Sequence, residues 1–341
     1  MNDNIHYLNS RVRAMKGKLL DKKDYRKILK MEPNEVSEFL GKLSYSESIN
    51  NLGLKYNGEE LVELAIEKDL VKTAKKLVKL SDGEVKRFLE NYFLKYDTRN
   101  LRKVFSWKNR SSSNGMSKEM VVKHLEESPN ISKHDISFLV DENTKFEDLE
   151  NFVRNRFSRI INGEEVNSFN ELELLMDKKY LLNLVNQVKQ LGISDYGLKK
   201  FLRFEVDTAN INTVGRARLM DKNSFDLDSY LVKDGDNRIG NLSVSDLKSL
   251  YETDEATFME KVSDYTDTDG ENLGFMESIE IGIERKRFNS SKSLSLSPPK
   301  TVSPVLGYVV RKETEVENIR KIVRGKKLGL DDSEISKRVV F

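Results

Sequence analysis

The segment TEVENIRKIVRGK, residues 314–326, decides the fold because two other segments of the chain share its pattern. YDTRNLRKVFSWK (96–108) and EVDTANINTVGRAR (205–218) align with it on their asparagines, which stand 110 and 108 residues apart. In each segment an acid lies three residues before the asparagine, aliphatic residues follow after one and four, and a base follows after eight. The aligned acids, asparagines and bases are Asp97, Asn100 and Lys108; Asp207, Asn210 and Arg218; and Glu315, Asn318 and Lys326.

The spacing of this motif is that of one helix. Its aliphatic residues share a face, which must pack against other apolar residues. We interpret the leading acid and the trailing base as charges that complement the dipole of their own helix. The acid and the asparagine also share a face, where the amide can hydrogen-bond the carboxylate. Because the motif recurs at a regular interval, it indicates three related units more than it indicates a catalytic site.

The rest of the chain also has a helical period. Apolar residues recur three and four positions apart, as in the run from Leu61 to Ala65, whereas alternating strand-like runs are scarce. Pro33 stands at a natural first position of a helix. Asp331, followed three residues later by Glu334, predicts a capping box. The sequence therefore predicts an all-α protein.

The N-terminal segment predicts how the units are arranged. RVRAMK (11–16) resembles the end of the second motif, but too little chain precedes it to supply an acid and an asparagine. We infer that the N-terminal segment completes the unit whose motif helix is 314–326, which would close three units into a ring. The expected divisions are a first unit at 1–80, completed by C-terminal helices at 305–341; a second at 81–175; a third at 176–288; and a flexible Ser/Pro-rich loop at 289–304.

Composition excludes several classes of protein. The 58 Lys and Arg residues nearly balance 56 Asp and Glu residues, so no global field would draw the chain to nucleic acid or an anionic membrane. Cysteine is absent, which removes disulfides and thiolate nucleophiles and suits a reducing compartment. The N-terminus lacks a signal-peptide pattern. The most apolar run, YLLNLVNQV (180–188), is about half the length of a membrane span, so any membrane association should be peripheral.

Catalytic patterns are mostly absent. The chain has no phosphate-binding glycine loop, nucleophile elbow or zinc-protease motif. His6, His124 and His134 are too few and too badly spaced for a site, and we expect them to be structural. The acidic run DYTDTDGEN (264–272) resembles a calcium loop, but the register places Tyr265 and a methionine where oxygen ligands are required. We interpret it as a solvated loop.

Basic residues gather at RKIVRGKK (320–327) without the aromatic residues that stack on single-stranded nucleic acid. Two interpretations stay open: a solvated helix end, and a contact with an acidic protein partner. Trp107 stands where the other copies have Ala217 and Gly325. It is either a core residue or an exposed anchor, and the usual burial of aromatic residues favours the core. The candidates for contact with a partner are Arg11, Arg13, Arg102, Arg216, Arg320 and Arg324.

Four ordered segments together resemble a known family. YLNSRVRAMKGKLLDKKDY (7–25), the motif segments 96–108 and 205–218, and PVLGYVVRKETEVENIRKIVRGKKLGL (304–330) are similar to the C subunit of the archaeal-type (A-type, V-type) rotary ATPase, which is the counterpart of the d subunit of the vacuolar ATPase. The resemblance spans nearly the whole chain.

The resemblance implies both a fold and a function. It implies an all-helical funnel of three similar subdomains around a pseudo-threefold axis, with a central cavity. It further implies a peripheral position on the cytoplasmic face of the membrane, between an axle made of the D and F subunits and the membrane proteolipid ring. Such a protein transmits torque between ATP turnover and proton or sodium translocation, and it has no catalytic site, cofactor, small-molecule substrate or nucleic-acid partner of its own.

Some residues depart from the family pattern, and other functions stay open. The motif usually ends Leu-Arg-Ala-Lys in the family, whereas here it ends FSWK (105–108) and VGRAR (214–218). The alternative function is a soluble helical-repeat adaptor, whose units would stack openly with terminal caps. An enzyme using the motif acids and asparagines would instead bring them together in one cleft.

Overall fold

The computed structural model describes residues 3–110, 118–123, 125, 131–156, 166, 168–190, 195–219, 227–233, 239–267 and 273–341. Within these ranges the chain forms seventeen α-helices and no β-strand, which confirms the all-α prediction. The helices are α1 Asp3–Lys16, α2 Lys22–Ile28, α3 Pro33–Gly41, α4 Ser46–Leu52, α5 Gly58–Leu80, α6 Gly83–Arg110, α7 Lys118–Lys123, α8 Lys133–Leu139, α9 Phe146–Arg156, α10 Phe169–Gln190, α11 Tyr196–Ala217, α12 Leu227–Tyr230, α13 Val244–Glu252, α14 Glu255–Lys261, α15 Phe275–Ser295, α16 Ser303–Lys327 and α17 Asp332–Arg338.

Six helices of more than twenty residues form three consecutive pairs: α5 with α6, α10 with α11, and α15 with α16. Contacts between these helices make a closed cycle. Within each pair the two helices pack together, and α6 also contacts α10, α11 contacts α15, and α16 contacts α5. Because the last long helix packs on the first, the cycle has no open end among the long helices.

Each copy of the motif lies in the second helix of a pair, in α6, α11 or α16. Short helices follow every motif helix: α7 to α9 follow α6, α12 to α14 follow α11, and α17 follows α16. The motif acids Asp207 and Glu315 stand near the middle of their helices, not in the first turn. The interpretation that they complement the dipole of their own helix is therefore wrong, because that effect acts only within a terminal turn.

The two ends of the chain lie against each other. The ring of Phe341 stacks on the ring of Tyr25 with 5.6 Å between centroids. The backbone N–H of Leu20 donates to Glu315 Oε2 at 2.5 Å. Helices α1, α3 and α5 all contact α16. The N-terminal segment thus packs directly on the third motif helix.

The structure confirms the predicted helix starts at Pro33 and Asp331 and the predicted burial of Trp107. Pro33 is the first residue of α3, and Asp331 caps α17 in a reciprocal capping box with Glu334. The preference for the core at Trp107 is confirmed: the residue is 7% exposed, in an apolar cluster that includes Leu101, Val104 and residues of α8 to α10.

The Ser/Pro-rich stretch 289–304 is not a loop over its whole length, contrary to prediction. Helix α15 continues to Ser295, and α16 begins at Ser303. Ser291 is fully buried, and its backbone carbonyl faces Gly307 of α16. Small residues let two helices approach closely. A buried serine hydroxyl can donate its hydrogen bond to a carbonyl of its own helix. Ser295 Oγ does so, donating to the carbonyl of Ser291 at 2.9 Å. The repeated serines therefore mark a tight helix contact.

Two sequence interpretations fall partly outside the described residues, namely His124 and positions 268–272 of the acidic run. Among the helices that the structure describes, none combines the length and the apolar character that crossing a membrane would require.

We predict that Gly307→Ala lowers the free energy of unfolding by about 2 kcal/mol, because an added methyl group overpacks the contact between α15 and α16. A Cβ at Gly307 would lie 2.8 Å from the Ser291 carbonyl oxygen and 2.9 Å from the Ser295 nitrogen. Urea unfolding followed by circular dichroism measures the change.

The control is Gly17→Ala, whose Cβ would meet only the Ala14 carbonyl oxygen, at 3.7 Å. We expect a change within about 0.5 kcal/mol there, as for most surface substitutions. Equal changes for the two variants would contradict a tight contact at Gly307.

Candidate functional site: a buried ion cluster beside a charged cavity

The motif asparagines hold a distant piece of backbone. Asn210 Nδ2 donates to the carbonyl of Val232 at 3.2 Å, and the N–H of Val232 donates to Asn210 Oδ1 at 2.7 Å. Asn318 makes the same pair of bonds with Val340, at 2.5 and 2.9 Å. In both copies the partner is 22 residues farther along the chain. These amides therefore bind backbone, not the motif carboxylate as we expected.

The motif acids receive backbone N–H groups as well. Asp207 is fully buried, and its Oδ1 accepts the N–H groups of Asn241 and Leu242 at 2.8 and 3.0 Å. Leu242 directly precedes Ser243, the N-cap of α13. Glu315 accepts the N–H of Leu20, which likewise precedes an N-cap, that of α2. The acid thus fixes the start of a short helix against the motif helix, and in the third copy that short helix comes from the N-terminal segment.

Two of the motif bases bind carbonyl groups beyond their own helix. Lys108 Nζ donates to the carbonyls of Asp141 and Thr144, just after α8. Arg218 Nη1 donates to the carbonyls of Leu250 and Tyr251, in the last turn of α13. The third base, Lys326, instead pairs with the Asp332 carboxylate at 2.6 Å. In the second copy the acid, the amide and the base all hold the motif helix to the chain that follows it, which gives the motif a structural role there.

A second set of motif positions, which the sequence reasoning missed, meets at one point. Lys95, Glu205 and Glu313 each stand five residues before the motif asparagine, in α6, α11 and α16. Lys95 Nζ lies 2.5 Å from Glu313 Oε1. The guanidinium group of Arg287, in α15, bridges the two glutamates, at 2.8 Å from the Glu205 carboxylate and 3.0 Å from the Glu313 carboxylate. We call these four residues the ion cluster. Extending the first and third segments by one residue upstream would have shown an ionisable residue at this position in every copy.

Tyrosine hydroxyls complete the surroundings of the ion cluster. Tyr96 donates to Glu313 Oε1 at 2.7 Å, and Arg287 donates to the Tyr92 hydroxyl at 3.2 Å. Burial by itself would raise the pKa of Glu313, but the charges of Lys95 and Arg287 outweigh it and lower the pKa to about 2. A buried carboxylate with this many partners stays ionised and fixes the side chains around it.

A charged cavity of about 720 Å³ lies between α5, α6 and α16. Three acids of α5, spaced four residues apart, form one wall, and arginines and a lysine of α6 and α16 face them. Lys103 lies 3.0 Å from Glu67, and Arg324 pairs with Glu63. The lining residues are Glu59, Glu63, Glu67, Arg99, Arg102, Lys103, Ser106, Val121, Glu317, Arg320 and Arg324.

Half of the predicted partner contacts are gathered in this cavity. Arg102, Arg320 and Arg324 line it. Arg11 and Arg13 are exposed on α1 instead, and Arg216 is exposed on α11, where it pairs with Glu280 at 2.8 Å. The structure therefore divides the six arginines into a cavity group and three residues elsewhere.

Comparison with known proteins identifies similar chains. A family described as ATP synthase (C/AC39) subunit matches residues 8–338. The C subunit of the A-type ATP synthase of Methanococcoides burtonii is 25% identical over 345 residues, covering 99% of this chain and 94% of that protein. The corresponding A-type ATP synthase C subunits of Methanosarcina barkeri and Haloferax volcanii are each 27% identical, covering 99% of this chain and 93% and 98% of theirs.

We predict that Asn210→Ala lowers the free energy of unfolding by about 3 kcal/mol, because it leaves the buried N–H and carbonyl of Val232 without partners. Asn212→Ala is the control on the same helix, since Asn212 Oδ1 is buried without a hydrogen-bond partner. We expect that change to cost less than about 1 kcal/mol. Urea unfolding compares the two variants, and a control as costly as Asn210→Ala would contradict the assigned role.

We predict that Glu313→Gln both destabilises the protein and flattens its response to acid. Because the pKa of Glu313 falls from 4.5 to about 2 on folding, the stability it provides is complete above pH 4.5 and is lost as the pH falls toward 2. This loss amounts to about 3 kcal/mol in the wild type, at 1.36 kcal/mol per pKa unit.

The free energy of unfolding at a series of pH values tests this prediction. The variant should be less stable at pH 7, where Lys95 and Arg287 lose a partner, and should lack that part of the acid dependence. Glu38→Gln, which removes an exposed carboxylate of α3, should follow the wild type. A variant with the wild-type slope would show that Glu313 is not the responsible group.

Proposed function

The chain belongs to the ATP synthase (C/AC39) subunit family, and we propose that it is a non-catalytic central-stalk component of an A/V-type rotary ATPase. In this role it joins an axle made of the D and F subunits to the membrane proteolipid ring. It transmits torque between ATP turnover and the translocation of protons or sodium ions. It resides on the cytoplasmic face of the membrane and is held there by its protein partners.

The ion cluster is the observation that carries this proposal. Lys95, Glu205 and Glu313 occupy the same position in three copies of one motif. Arg287 pairs with both glutamates, and Lys95 pairs with Glu313. Equivalent positions of three units come together where a threefold axis passes. The contact supports three units around a pseudo-threefold axis. The boundaries expected from the sequence need two changes, because α10 crosses the boundary between 175 and 176, and the expected loop 289–304 is helical at both ends.

The closed cycle of long helices suits a part that transmits torque. A force applied to one pair is shared by its neighbours, since α16 packs on α5 as α6 packs on α10. The contact of Phe341 with Tyr25 ties the C-terminal residue to α2 of the N-terminal segment. An adaptor of stacked repeats would instead leave its first and last units apart. The charged cavity is the part of the described surface suited to receive the end of an axle.

Co-purification tests the proposed function. A tagged chain co-expressed with the D and F axle subunits and the proteolipid of the same organism should recover both partners from detergent-solubilised membranes at low salt. Recovery of the axle should fall at high salt, because contacts between exposed charges are screened. Recovery of neither partner, with the chain folded by circular dichroism, would refute the role in a rotary ATPase and leave the adaptor.

A further inference from the structure

The three motif helices differ where they would face a central partner. Positions one before, two after and six after the asparagine line the cavity in both α6 and α16. Five of these six residues are ionisable, whereas in α11 only one of three is. The residues are Arg99, Arg102 and Ser106 in α6; Glu317, Arg320 and Arg324 in α16; and Ala209, Asn212 and Arg216 in α11. The units are thus alike in fold but unlike in charge.

The accessible charge along the α5 wall of the cavity is positive. Each acid of this wall has a base as its partner, and in three of the four ion pairs the base is the more exposed member; the exception is Arg320, which is 17% exposed against 23% for Glu67. The side chain of Arg324 is 55% exposed against 11% for Glu63. Lys327 is 68% exposed against 17% for Glu59, and Lys103 is 36% exposed against 23% for Glu67. At these three pairs a visiting group therefore meets the ammonium or guanidinium group before the carboxylate.

Resting on the proposed function, we propose that this cavity binds an acidic helical segment of the axle and so fixes the axle in one of three otherwise similar rotational positions. The wall from Glu59 to Glu67 spans about 12 Å at 1.5 Å per residue, which matches two turns of a helix. Acidic side chains of that segment pair with Arg102, Arg324 and Lys103. The equivalent positions of α11 have Ala209 and Asn212, and Arg216 is the one base among them.

The chain itself provides a matched control for this proposal. Arg324 and Arg216 both stand six residues after the motif asparagine. Arg324 pairs with Glu63, five residues after the start of α5, and Arg216 pairs with Glu280, five residues after the start of α15. Both arginines have mostly exposed side chains. Reversing either charge breaks an equivalent ion pair, but only Arg324 lies in the cavity.

The experiment compares Arg324→Glu with Arg216→Glu in binding to the purified D–F axle complex of the same organism, by calorimetry at low salt. We expect Arg324→Glu to weaken binding at least about tenfold and Arg216→Glu less than about twofold, as for charge reversal inside and outside an interface. Arg102→Glu is a second cavity variant, and it should weaken binding as Arg324→Glu does. Urea unfolding verifies that all variants are folded.

The outcomes separate this proposal from the proposed function. Equal weakening by Arg324→Glu and Arg216→Glu would show that the axle binds the α16 and α11 surfaces alike. That result overturns a single rotational position and leaves the central-stalk role. Full binding by both cavity variants would likewise overturn it. A folded wild-type chain that does not bind the axle would overturn both the position and the role.

Discussion

The arrangement of the long helices depends on keeping the buried Glu313 carboxylate paired with partly buried charges from the neighbouring helices. Glu313 has to face Lys95 and Arg287 at the same time, and Arg287 has to reach Glu205 as well. Removing one partner from such a group leaves a buried charge uncompensated, which costs several kcal/mol. Since the four residues come from α6, α11, α15 and α16, this requirement fixes the positions of all three motif helices relative to one another.

Around the ion cluster, the motif side chains provide hydrogen-bond partners for buried backbone groups. Loops and helix ends that pack inside a protein need partners for their N–H and carbonyl groups. In the second copy Asp207 binds N–H groups ahead of α13, Asn210 binds both backbone groups of Val232, and Arg218 binds carbonyls in the last turn of α13. The Asp207 site shows how tightly this is built: a Cβ at Gly240 would lie only 2.0 Å from its Oδ1. The second motif helix therefore holds its own short helices through all three motif groups.

The sequence predicts the elements better than their partners. Apolar spacing, Pro33 and the capping residue Asp331 depend on neighbours within a turn, and these predictions are confirmed. The motif acids were misread because a carboxylate near a helix start and one in mid-helix have the same local pattern. The serines of α15 were misread because a small residue suits a loop and a tight helix contact equally well. Arg287 lies outside the motif, so the motif spacing could have pointed to Lys95, Glu205 and Glu313 but not to the arginine that bridges the two glutamates.

If the chain consists of three like units that meet on an axis and hold a shaft, cryo-electron microscopy of the chain bound to its axle and proteolipid ring can show it directly. We expect rotations of about 120° around one axis near Glu313 to relate the α5/α6, α10/α11 and α15/α16 pairs, as closed threefold symmetry requires. We also expect axle density in contact with the cavity between α5, α6 and α16. Helix pairs without a common axis, or an axle bound to the outer surface, would contradict this arrangement.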